Sequence, residues 1–234
     1  MGLELVASDE RLAFDIDNSS LDSATPPPRQ TYFVAALPLY GQIDTTDDLL
    51  NPTEGFRVSL RTSPEVSRTK GMQSFYVRNQ ADASYYKQIG ENGPILAGRV
   101  GVGSITGAGL NDIAPSRRFF AGGGGSVRGF GYRAIGPRND DNDPIGGRSL
   151  VEVSAEVRIP TPLFDGAVQV VPFVDAGSVG VEQYPDFEDI RVGAGVGVRY
   201  LSGFGPLRLD VAFPINPRPT DSFVAVYVSL GQAF

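Results

Sequence analysis

Strict alternation of apolar and polar side chains through the second half of the chain limits the fold more than any other feature. In GRSLVEVSAEVRIP, Gly147 to Pro160, one parity carries Ser149, Val151, Val153, Ala155, Val157 and Ile159. The other carries Arg148, Leu150, Glu152, Ser154, Glu156 and Arg158. Successive side chains of a strand point to opposite faces, so this is a strand with one apolar and one charged face. The pattern recurs in Gly166 to Gly177, Ile190 to Tyr200, Leu207 to Phe213 and the last run, where Val224, Val226, Val228, Leu230 and Phe234 oppose Ala225, Tyr227, Ser229 and Gly231. In all five the apolar face is free of charge, and in four the opposite face carries Arg, Asp or Glu.

Earlier runs alternate less cleanly. Gly55 to Thr62 sets Phe56, Val58 and Leu60 against Arg57, Ser59 and Arg61, and Pro94 to Ile105 sets Leu96, Val100 and Val102 opposite Arg99. Met72 to Lys87 and Thr31 to Gly41 are strands by their Tyr, Phe and Val content but do not declare a facing. Leu3 to Ile16 is the weakest. Together these predict ten strands, five before and five after a loop at about 107 to 146. Turn residues separate them, and the connections at 89 to 94, 161 to 165 and 201 to 206 are short while 107 to 146 is very long. Short turns at one end and longer loops at the other are the habit of an up-and-down transmembrane β-barrel.

A soluble β-sandwich or lipocalin-like barrel also alternates. There the apolar face is packed inward and favours varied, bulky side chains, whereas here it is mostly Val, Leu, Ile and Ala. The opposite face mixes glycine with Arg, Glu and Asp, as a wet or polar-plugged lumen would. A lone Arg facing lipid at mid-membrane costs about 2 to 4 kcal/mol, which accounts for the uncharged outer face.

Composition removes several functions. No window approaches the roughly 18 apolar residues of a spanning helix. The chain has no Cys and no His, so disulfides, thiolate metal sites, the thiol nucleophile and the usual general base are all missing, and a non-enzymatic role without metal or cofactor is expected. A net charge of -7 opposes a nucleic-acid partner. The first residues lack the basic start and apolar middle of a secretory signal; an exported chain of this kind is expected to be a mature form or a fragment.

The long loop contains SRRFFAGGGGSVRGFGYRAIGP, Ser116 to Pro137. Its glycines are not followed by GK[ST] or a helix-forming run, so a phosphate-binding loop of the nucleotide type is not expected. NDDNDP, Asn139 to Pro144, lacks the ligand spacing of an EF-hand and reads as a solvated turn.

The run RRFFAGGGGSVRGFGYRAIGP followed by GGRSL resembles the long sixth extracellular loop of the outer-membrane barrel-assembly superfamily of BamA/TamA type, the bacterial surface antigens. Its hallmark is VRG and an aromatic, here Val127, Arg128, Gly129 and Phe130. RSLVEVSAEVRIP, FVDAG (Phe173 to Gly177), GPLRLDVAFPI and FVAVYVSLGQAF match later strands of the family in order, and TTDDLLNPTEGFRVSL resembles its D-x-LNPT-x-G hairpin. The wording is closest to the TamA-like branch.

The resemblance implies a Gram-negative outer-membrane protein assisting insertion or translocation of β-barrel and autotransporter clients, in contact with outer-membrane lipid and an inner-membrane or periplasmic accessory subunit. A two-partner secretion transporter or passive outer-membrane channel is the alternative. The loop is expected to fold into the barrel, with Arg128 meeting Asp175, or Glu156 as second candidate, and with glycines letting the backbone pass close to the wall. Tyr227, Leu230, Gly231 and Phe234 would belong to a C-terminal signal strand. Family members carry POTRA domains and sixteen strands; residues 1 to 234 have room for about ten strands as one barrel domain without POTRA domains. Either this is the C-terminal part of a barrel, or a smaller barrel closes first strand to last.

Overall fold

The computed structural model describes residues 3–11, 29–185, 187 and 189–234. Eleven strands form one antiparallel sheet: β1 (Glu4–Arg11), β2 (Arg29–Ala36), β3 (Leu39–Asp44), β4 (Glu54–Thr69), β5 (Met72–Gln88), β6 (Ile95–Thr106), β7 (Ser149–Pro160), β8 (Val168–Gly180), β9 (Arg191–Ser202), β10 (Gly205–Pro214) and β11 (Ala225–Leu230). The remainder of the Leu3 to Ile16 run, beyond Arg11, lies outside the described residues. Among the described residues the only helical pieces are two 3₁₀ turns, Leu110–Asp112 and Pro115–Arg117, and no helix is long and apolar enough to cross a membrane.

The predicted Thr31 to Gly41 strand is two strands in one row. β2 pairs with β4 from Phe33↔Arg68 to Ala36↔Glu65, and β3 continues on the same register from Leu39↔Thr62 to Asp44↔Arg57. The break falls at Leu37 and Pro38: the Leu37 N–H still donates to the Pro64 carbonyl of β4 at 3.0 Å, but Pro64 has no N–H to return the second bond of that pair. Ten expected strands are therefore eleven, arranged in ten rows.

Facing decides the environment of each side of the sheet. Val153, Val196 and Leu209 are 46%, 51% and 45% exposed, while Glu156 and Arg199 are 3% and 0% exposed. The apolar face is thus the outside of the curled sheet, and the ionised groups are within. The two strands of undeclared facing follow suit: Phe33, Phe75 and Tyr85 point out, and Tyr32, Tyr76 and Tyr86 are fully buried inside. Asn79 blurred the pattern of β5 because it sits on the outward parity. Its carboxamide accepts a 2.7 Å hydrogen bond from the hydroxyl of Thr62, its partner across the ladder, so neither polar group is left bare on the outer face.

The connections at 45–53, 89–94, 161–167 and 203–204 lie at one end of the sheet, and the long ones at 107–148, 181–190 and 215–224 lie at the other. One short turn breaks the rule. Lys70 and Gly71, with φ of 46° and 79°, join Thr69 to Met72 at the long-loop end as a two-residue turn whose twist matches the hairpin.

Among the described residues β1 and β11 are not paired with each other, so the sheet does not close first strand to last there. The interior is also less polar than a charged face alone predicts. Ile113, Phe119, Val127, Phe130 and Ile135 of the 107–148 loop pack with Tyr76, Ile105, Leu150 and Val179 of the wall in a hydrophobic cluster inside the sheet. The loop is a folded plug with its own core.

Candidate functional site

The loop motif splits its four residues between two environments. Val127 and Phe130, each 1% exposed, belong to the interior hydrophobic cluster. Arg128 between them points to the wall. Its Nε and Nη2 grip Asp175 of β8 at 2.6 and 2.9 Å, a two-pronged carboxylate contact, and its backbone N–H donates to the same carboxylate at 3.0 Å. Nη1 reaches Glu156 of β7 and Asp210 of β10, both at 3.2 Å. The guanidinium lies 3.5 Å from the ring centroid of Phe173, stacked on its face.

Both expected partners therefore stand at Arg128, and Asp210 is a third that the sequence reading did not single out. Its parity opposite Leu209 and Val211 was the available signal, since every charged residue on that face points to the same interior. Asp210 also binds Arg199 at 2.5 Å and Arg208 at 2.6 Å, and Glu156 binds Arg158 at 2.9 Å. The result is a buried network of four arginines and three carboxylates drawn from four consecutive strands and the loop. Burial opposes the charge on Arg128, but the Asp175 contacts and the charges of Glu156 and Asp210 outweigh it and hold its pKa above the ordinary arginine range.

Glycines of the wall make room for this contact. Gly193, Gly195 and Gly197 occupy the inner face of β9. A Cβ on Gly193 would overlap the carbonyl oxygen of Arg128, one on Gly195 would strike the Phe173 ring, and one on Gly197 would collide with the Asp210–Arg199 pair. The sequence shows three glycines where the pattern expects inward side chains. Their meaning, a trough that receives the loop, appears only when the strand and the loop are brought together. Within the loop, Gly122 and Gly123, with φ of 104° and 107°, take backbone conformations that disfavour other residues.

The C-terminal group divides. Tyr227 of β11 faces inward, where its hydroxyl donates to the Phe130 carbonyl at 2.7 Å and accepts from the Gly129 N–H at 3.1 Å. It thus joins the last strand to the loop motif. Leu230 is outward, opposite Leu207. Phe234 departs from its expected place on the outer apolar face. β11 ends at Leu230, Gly231 takes a φ of 93°, and Phe234 turns inward to stack on Tyr86 at 6.3 Å. Gln232 beside it donates to Asn51 at 2.7 Å and accepts from Arg199 at 3.1 Å.

Asn51 belongs to the LNPT turn. Asp47 organises that turn by accepting from the Thr53 N–H, the Thr53 hydroxyl and the Glu54 N–H at 2.8, 2.6 and 3.0 Å. The Pro52 carbonyl accepts from Arg158 at 3.0 Å, so the turn is tied to the same charged network.

A family model described as the Omp85 superfamily domain matches residues 13–234. The chain is 29% identical over 179 residues to the outer membrane protein assembly factor BamA of Nitratidesulfovibrio vulgaris, covering 74% of this chain and 22% of that protein. To the BamA of Neisseria meningitidis serogroup B it is 26% identical over 220 residues, covering 81% and 27%. It spans about a quarter of the length of these relatives. The crystal structure of BamA from Haemophilus ducreyi lacking POTRA domains 1–3 shares the fold, with a TM-score of 0.63 at 20% identity over 91% of this chain and 44% of that one.

Proposed function

Because the chain belongs to the Omp85 superfamily and is an outer-membrane protein of a Gram-negative bacterium, we propose that it assists the insertion of β-barrel and autotransporter clients without enzymatic chemistry. Among the described residues β11 pairs with β10 alone, so its other edge keeps unpaired N–H and C=O groups. Such an edge can template an incoming client strand through backbone hydrogen bonds before releasing it into lipid. The observation that carries this reading is the tie between that edge and the anchored loop: Tyr227 holds Gly129 and Phe130, and Arg128 beside them is fixed to three strands of the wall. The loop keeps the edge strand in a defined place while its outer side stays free to pair.

Client chains and outer-membrane lipid are the partners this function needs, and an inner-membrane or periplasmic accessory subunit would deliver the clients. Reconstitution in liposomes tests it. The chain should speed folding of a client barrel, and Tyr227→Phe, which deletes the hydroxyl contacts but keeps the ring, should slow that effect several-fold. A two-partner secretion transporter or passive channel is the competing reading. Steady single-channel conductance in planar bilayers with no acceleration of client folding would establish it instead.

A further inference from the structure

The loop carries a second buried arginine whose surroundings are the reverse of those of Arg128. Arg118 is 5% exposed, and among the described residues no carboxylate stands within ion-pair distance. Its Nε donates to the Ile113 carbonyl at 3.1 Å and its Nη1 to the Ile145 carbonyl at 3.0 Å. Glu10, a carboxylate whose charge it feels, is engaged by the Ser116 N–H and hydroxyl at 2.8 and 2.6 Å. Burial accordingly pulls the Arg118 guanidinium below the ordinary arginine range, where Arg128 is held above it. That is the sign of a buried cation without an anion.

Arg118 shares a cavity of about 420 Å³ with Arg78, Arg133 and Glu152, and the bare backbone of Gly124 and Gly125 forms part of the wall. Neither of the other arginines has a carboxylate within ion-pair distance among the described residues; Glu65, whose charge reaches Arg78, is gripped by Arg117 at 2.6 and 2.9 Å. Arg78 lies over the Phe119 ring at 4.3 Å and donates to the Arg117 carbonyl at 3.1 Å; Arg133 lies over the Phe120 ring at 4.3 Å. Glu152 is already engaged by the Ser126 hydroxyl and by Arg99 at 3.5 Å. Three cations against one carboxylate leave two positive charges on this cavity, in a chain whose net charge is -7.

We propose that this cavity binds a phosphate group, either free or as the phosphomonoester headgroup of a lipid. A phosphomonoester carries a charge of about -1.5 to -2 at neutral pH, which matches the local excess. Its oxygens accept the paired N–H groups of guanidiniums. The aromatic faces under Arg78 and Arg133 hold these side chains in place without neutralising them; Arg78 gives Nε to the Arg117 carbonyl and Nη2 to Gln80 at 3.3 Å, which leaves Nη1 and its uncompensated charge for a ligand beside the donors of Arg133.

The test uses the full chain refolded in neutral detergent micelles. Inorganic phosphate is titrated by calorimetry at an ionic strength fixed with chloride; in a second arm the micelles are doped with phosphatidic acid or, as control, phosphatidylcholine. Saturable binding in the first arm assigns the site to free phosphate, and saturable binding in the phosphatidic acid arm alone assigns it to a headgroup. Either way Arg133→Gln and Arg78→Gln, which leave the buried Arg118 contacts in place, should each weaken binding about tenfold, the worth of a charge-assisted hydrogen bond. Lys70→Gln, an exposed turn cation, should not. No saturable binding in either arm, or equal weakening by Lys70→Gln, overturns the proposal.

Discussion

Arg128 shows how a single cation is made compatible with burial. It is satisfied by a backbone-assisted two-pronged contact to Asp175, by two further carboxylates and by an aromatic face. Removing one member of such a cluster strands its partners, which typically costs about 3 to 5 kcal/mol. Arg128→Ala and Asp175→Ala are each expected to lower stability by that order in denaturant titrations in detergent. The double replacement should cost clearly less than the sum, because the second change removes a group the first had already orphaned. Additive losses would show that the two residues act independently. Gly193 is the matching test from the wall. Gly193→Ala drives a methyl into the Arg128 carbonyl and should cost about 1 to 3 kcal/mol, whereas Gly203→Ala, in open space, should be near neutral. Equal effects at the two glycines would mean that the trough is not what holds the loop.

Single elements carry their own conditions of stability. The 45–53 turn is held by three carboxylates: Asp44 accepts from Thr46, Asp48 from the Leu50 and Asn51 N–H groups, and Asp47 makes the three bonds that close it onto Thr53 and Glu54. Burial pushes the pKa of Asp47 up, but the bonds from Glu54 and Thr53 outweigh it and hold the group below the ordinary aspartate range. A group held below its unfolded value stabilises the fold above that value and loses its contribution as pH falls past it. Order in the LNPT turn should therefore be constant at neutral pH and decline as pH drops below about 3.9, the ordinary aspartate value. Hydrogen exchange at the Thr53 and Glu54 amides reports this directly, and Asp47→Asn should bring the faster exchange to neutral pH. Unchanged protection in that variant would show that the loop is held by its other contacts. β2 and β3 illustrate a different point. Proline breaks the hydrogen-bond ladder without shifting its register, because β4 offers one continuous partner to both pieces.

For the whole molecule, the outward apolar surface and the inward charge fix how the sheet meets its surroundings. Val196, about halfway along β9 and half-exposed on the outer face, is the clearest probe. Val196→Arg should destabilise the chain in lipid vesicles by about 2 to 4 kcal/mol, and the same change at the periphery of the outer face, Leu207→Arg, by less. If Val196→Arg were as mild as Leu207→Arg, the outer face would not be in hydrocarbon. The interior loop also joins distant parts of the sheet. Ser116 and Arg117 contact Glu10 and Glu4 of β1, while Gly129 and Phe130 contact Tyr227 of β11. One segment thus touches both outermost strands of an open sheet from within.

Strand existence, the antiparallel order and the two-faced character of the strands after the long loop were legible in the amino-acid sequence, because a period of two is set by backbone geometry and needs no tertiary context; the facing of the Thr31 to Gly41 and Met72 to Lys87 runs was not. The period alone sorts β7 to β10 into an apolar and a charged face and puts Asp175, Glu156 and Asp210 together on the charged one; that this face is the inner one follows from its charge and the cost of exposing charge to lipid. Tertiary structure decided what the period cannot encode: that β9 offers glycines where the loop must pass, that Asp210 joins Arg128, that Gly231 turns Phe234 inward off its strand, and that Asn79 is tolerated on the outer face through Thr62. Each depends on a neighbour distant in the chain. Alternation tells a side chain which way to point, and only packing tells it what it will meet there.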